Sequence, residues 1–215
     1  MKGVFRSRPP QPKYEYTWNV DTVLNYLSQM FPNEKLSLEL LSKKLITLLA
    51  IVTAHRVETL SKIELKNIIF DSNCISIKIS QFIKTSKPNT HQPLLKLPYF
   101  HEKPEICPAL TLLCYKNKTN SVRVSDDLFV SYRKPHTKVT TQTLSHWIKD
   151  MLHKSGIDTS VYASTSKAKA VGVNVDTIRK TAGWSISSSV FARFYNRDII
   201  ITHQDDSFGR SILQT

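Results

Sequence analysis

The chain has 215 residues, enough for one substantial domain with its own hydrophobic core. Lysine and arginine outnumber aspartate and glutamate by 30 to 17, and the resulting +13 is spread along the whole chain rather than held in a tail. Distributed cations of this kind suit a polyanionic partner, because they neutralise several phosphates and gain affinity by counterion release. Cys74, Cys107 and Cys114 are odd in number and form no C-x-x-C pair, which argues against a disulfide framework and against a zinc site. A reducing compartment, nuclear or cytosolic, is expected. The run "LITLLAIVTA" is too short to span a bilayer and does not sit where a secretory signal would, so no membrane association is expected.

In chain order, "MKGVFRSRPPQPKYEYTW" carries three prolines and little periodicity, so residues 1–18 read as an extended basic arm. "NVDTVLNYLSQM" places Val20, Val23, Leu24 and Leu27 at helical spacing, with Asn19 or Asp21 as the cap. From Leu38 to Val52 the sequence is apolar nearly all round, the pattern of a central helix packed on several sides and ending near Arg56. Between Ile68 and Leu97 the period changes to two. "IIF", "CISIKIS" and "PLLKLP", separated by turn signals at "DSN" and "KPNT", predict a small antiparallel sheet of three strands.

"ICPALTLLCYKNKT" is a further helix and "LFVSY" a short strand or extended piece. "TTQTLSHWIKDMLHKSG" is a helix with Leu144, Trp147, Ile148 and Leu152 on one face and Gly156 past its end. Beyond it, "ASTSKAKAVG" has alanines suited to close packing, "VDTIRKTAGW" reads as a short helix stopped at Gly183, and "SISSSVFARFYNRDI" as a last helix. There Phe191 and Tyr195 share a face in the manner of ordinary core residues. The fold class is therefore α+β, mostly helical with one small three-stranded antiparallel sheet.

Four stretches, "AHRVETL", "FIKTSKP", "TAGWS" and "FARFYNR", occur in an order that resembles the catalytic domain of the tyrosine recombinases, the phage-integrase-like family, and in particular the versions carried by DIRS-type retroelements. Each motif is weak alone; the ordered set is specific, and the likeness runs from Lys2 to about Ile199. The resemblance implies a domain over residues 19–199, with 200–215 as a C-terminal tail. It implies double-stranded DNA as partner, and strand breakage by a tyrosine hydroxyl that forms a covalent 3′-phosphotyrosyl link without metal or other cofactor.

Such a reaction builds charge on non-bridging phosphate oxygens, which fixed guanidinium groups meet bidentately, and it needs an acid for the departing oxygen. By resemblance Arg56 is the phosphate clamp, Lys84 the general acid on the hairpin, Trp184 an indole donor to the phosphate, and Tyr195 the nucleophile. Read alone, the same residues are a helix-terminal arginine, an edge-strand lysine, a core tryptophan and a core tyrosine. Lys87 lies close enough to Lys84 to compete for its role. The spacing from Trp184 to Tyr195 is slightly longer than the family usually shows.

One departure stands out. The family carries a His-x-x-Arg motif before its alanine- and serine-rich helix, yet here "GIDTSVY" runs straight into "ASTSKAKA". About two helical turns of sequence, roughly seven residues, are missing between Tyr162 and Ala163. His153 and Arg179 flank the junction without the motif's spacing, and neither takes over its role. The expectation is a recombinase domain with crippled chemistry and a retained DNA-binding surface. A DNA-binding module without catalysis is the alternative. Self-association on DNA through "DDSFGRSILQT" is a further expectation drawn from the family.

Overall fold

The computed structural model describes residues 18–84, 86 and 92–159. Expectations for the arm, for the helices containing Trp184 and Tyr195, for the junction at Tyr162 and for the C-terminal tail lie outside those residues.

The chain enters the described region at Trp18, which is buried against the core. Helix α1, Val20–Ser28, starts where the Asn19 side chain accepts the Asp21 amide at 2.9 Å, and it buries Val20, Val23 and Leu27. Helix α2, Leu38–Thr53, is capped by Ser37, whose hydroxyl accepts the Leu40 amide at 3.2 Å. Every residue from 41 to 49 is buried, so this part of α2 is enclosed on all sides, as a stretch apolar nearly all round predicts. It packs against α4, Pro108–Thr119, and α5, Thr141–Lys154. Each aliphatic side chain withdrawn from water here contributes about 1.5–3 kcal/mol.

Two lysines lie inside this packed helix. Lys43 meets Glu39 at 2.6 Å and Asp150 of α5 at 2.7 Å, and Asp150 also meets Lys154 at 3.1 Å. Burial alone would raise the Asp150 carboxyl, but hydrogen bonds from Lys43 and Lys154 outweigh it and hold the group below its ordinary range. Lys44 is fully buried, and among the described residues no carboxylate pairs with it. Its ammonium donates to the Met30 carbonyl at 2.6 Å and to Asn33 Oδ1 at 2.9 Å, and burial pulls its pKa down to about 8.

The sheet has the order β1-β2-β3, with β1 Ile68–Phe70, β2 Cys74–Lys78 and β3 Leu94–Pro98, all antiparallel. Ile68 faces Ile77 and Ile77 faces Leu95, while Ile75 faces Leu97, so one face of the sheet is continuous with the core. Ile69, Lys78, Leu94 and Lys96 are exposed, as the period of two requires. The "LFVSY" segment forms no strand of its own; Val130 makes an isolated antiparallel bridge with Lys138. Leu128 donates to the Ile63 carbonyl at 2.8 Å, and Val130 donates to the Tyr115 hydroxyl at 3.1 Å. Helix α5 buries Leu144, Trp147, Ile148, Met151 and Leu152, and stops before Gly156, whose φ of 89° suits glycine. Among the described residues no helix is long and apolar enough to cross a membrane, and no group of His, Cys, Asp and Glu could hold a metal ion.

Candidate functional site

Arg56 owes its place to the way α2 ends. Ala54 takes a left-handed conformation, φ 54° and ψ 17°, which closes the helix and redirects the chain. Two residues later Arg56 is the N-cap of the short helix α3, Val57–Leu60, where its carbonyl accepts the Thr59 amide at 2.9 Å and the Leu60 amide at 3.1 Å. Its side chain is half-buried. The end of α3 is joined to the start of α5 by Thr141 Oγ1 donating to Ser61 Oγ at 3.1 Å.

Lys84 is exposed on the connection between β2 and β3. A tight turn displays it: Ser86 N donates to the Ile83 carbonyl at 2.9 Å, and Ile83 N donates back to Ser86 Oγ at 2.9 Å. Ile83 is buried and anchors the turn to the core.

The segments bearing Arg56 and Lys84 are fastened to each other. Beyond α3, Lys62 pairs with Glu58 at 3.1 Å and donates to the Phe82 carbonyl, two residues before Lys84. Glu64 grips the same stretch: its carboxylate accepts Ser80 Oγ at 2.9 Å and Gln81 Nε2 at 3.1 Å. Asn67 Nδ2 bridges Glu64 and Ser80, at 2.9 Å to each. The Ser80 hydroxyl holds the Glu64 carboxyl below its ordinary range, aided by Gln81 and Lys66 against the opposing push of burial.

Lys62, in the turn that follows α3, and Glu64 flank the buried Ile63, and together they clasp the chain that leads to Lys84. Neither was singled out from the sequence.

Of the four residues selected from the sequence, Arg56 and Lys84 thus lie in segments that the structure ties together. Trp184, Tyr195 and the competing Lys87 lie outside the described residues. His153 is exposed near the end of α5. A half-buried guanidinium and an exposed ammonium on a hydrogen-bonded turn are both suited to a phosphate, the first through its planar fork and the second as a point charge.

No protein-family model matches the sequence, and no curated protein matches it. Solved structures do match its fold. Against the XerA recombinase the TM-score is 0.55 at 16% identity, over 96% of this chain and 65% of that one. Against the XerH site-specific recombinase bound to its difH substrate, the values are 0.56 and 13%, over 94% of this chain and 55% of that one. The chain therefore spans less than two-thirds of the length of either recombinase. The mixed helical architecture with its small antiparallel sheet is the tyrosine-recombinase catalytic-domain fold.

Proposed function

We propose that the protein is a DNA-binding tyrosine-recombinase catalytic domain of mobile-element origin, derived from a DIRS-type element, that acts on nuclear DNA in integration and recombination. The observation that carries this reading is the fastening of the Arg56 segment to the Lys84 turn within the recombinase fold. Arg56 clamps the scissile phosphate and Lys84 protonates the leaving 5′-oxygen. Trp184 donates to a phosphate oxygen, and Tyr195 attacks phosphorus to form the 3′-phosphotyrosyl link. Fixed cations lower the barrier because they meet charge that develops only in the transition state.

Cleavage is impaired in this chain, because the junction of Tyr162 with Ala163 lacks the His-x-x-Arg motif. Losing one preorganised donor costs about 10²–10³ in rate, and here two are missing. That same junction favours a second reading, a DNA-binding remnant that no longer cuts. The C-terminal tail, in either case, serves self-association on DNA.

Trapping on nicked suicide DNA separates the two. A slow covalent adduct that vanishes in Tyr195→Phe supports the impaired recombinase. Salt-sensitive duplex binding without adduct, unchanged by Tyr195→Phe, supports the remnant. A chain that binds no duplex overturns both.

A further inference from the structure

Phe82 is 78% exposed, more than any other large hydrophobic side chain among the described residues. An isolated exposed apolar residue is ordinary on a mobile loop, but the backbone here is pinned on both sides. Gln81 is held by Glu64, the Phe82 carbonyl by Lys62, and Ile83 is buried with its amide on Ser86 Oγ. The main chain that carries the ring is thus held at three successive residues, and the ring itself stands in solvent. Lys84, also exposed, follows two residues later on the same turn.

We infer that Phe82 is a wedge that packs into duplex DNA beside the phosphodiester that Lys84 approaches. The inference rests on the DNA-binding reading given above. An apolar side chain next to a cation suits a groove lined by sugars and phosphates, where such wedges enter base steps and partly unstack them. Because the main chain is already held, entering the groove orders only the two side-chain torsions of Phe82, which limits the entropic cost. Pyrimidine–purine steps open most readily, and contact is strongest where one faces the turn. The charge of the chain, +13, favours DNA over another apolar protein surface as the occupant.

The test uses the full 215-residue chain and a fluorescein-labelled duplex of about 30 base pairs, titrated over a range of salt concentrations. Phe82→Ala weakens binding about tenfold without changing the salt slope, and Phe82→Trp restores it. Lys84→Ala, in contrast, lowers the slope by about one.

Wild-type binding that is salt-dependent yet unaffected by Phe82→Ala overturns the wedge and leaves the DNA-binding reading standing. Absence of wild-type binding overturns both. A fall in melting temperature of the free protein in Phe82→Ala assigns the ring to the chain's own core. A change in its sedimentation assigns it to a protein contact. Either result overturns the wedge.

Discussion

The ammonium of Lys62 donates to the main-chain carbonyl of Phe82, so the turn that displays Lys84 is fastened just beyond the helix that Arg56 caps. Lys62 has no assigned part in the chemistry, and its effect is positional. Replacing it with Met keeps the hydrocarbon stem and removes the donor. A hydrogen bond from a charged group contributes about 1.5–3 kcal/mol, and Lys62 is partly exposed, which lowers the figure. Local opening of residues 82–84 should therefore become about tenfold more frequent, read as faster exchange of the Ile83 amide, which donates to Ser86 Oγ, with α4 and α5 unchanged.

Glu64 gives the same clasp a pH dependence. Its folded pKa is depressed, first by the Ser80 hydroxyl and then by Gln81 and Lys66. A depressed carboxyl contributes stability that is complete above its unfolded value near 4.5 and is lost as pH falls through the folded value. Relative to the intrinsic rate, exchange at Ile79 and Ile83, whose amides donate to the Pro93 carbonyl and to Ser86 Oγ, should accelerate as the solution is acidified below that point. Glu64→Gln removes the titration, so its exchange rates should already be raised at neutral pH and follow only the intrinsic pH trend of amide exchange.

Ala54 sits at φ 54° at the end of α2, where an L-residue crowds its own carbonyl. The left-handed region costs an ordinary residue about 1–2 kcal/mol relative to glycine, partly offset by the greater entropy glycine loses on folding. Ala54→Gly should therefore stabilise the chain by about 1 kcal/mol and raise the melting temperature by about 2–4 °C. Ala54→Val should lower it, because a β-branched side chain fits this conformation worse.

Much of the architecture was legible in local pattern. Alternation at Ile75, Ile77 and Ile79 marked the sheet, and the nearly all-round apolar stretch from Leu38 to Val52 marked the enclosed helix; of the two caps open for α1, Asn19 and Asp21, the structure uses Asn19. The misses share a physical origin, in that the deciding partner lies far away in sequence. Lys44 reads from its type as a solvent-facing interruption of α2, but Met30 and Asn33 supply the acceptors that allow its burial. The Lys62 and Glu64 clasp depends on residues 80–82, and nothing near either residue announces that contact. At the site, residue types and order pointed to Arg56 and Lys84, while the backbone that sets their positions did not show. Ala54 in place of glycine hid the reversal before Arg56, since alanine is the strongest helix former.

Lys44 supplies the last prediction. Its ammonium is fully buried with two neutral acceptors, and burial lowers its pKa from 10.5 to about 8. The sign follows from proton counting. Between pH 8 and 10.5 the unfolded chain holds the Lys44 proton while the folded chain has released it. Unfolding therefore takes up a proton, and stability rises with pH across that window. Below it the cost of burying the charge is borne in full, and above it the cost is gone. The gain is on the order of 3 kcal/mol, set against whatever other groups titrate in the same range. Subtracting a Lys44→Met variant isolates the term. Urea unfolding of both proteins at a series of pH values should show wild type gaining on the variant from pH 8 upward and levelling near 10.5. A difference that stays flat over this interval would mean that the ammonium keeps its ordinary affinity for a proton and that water reaches it.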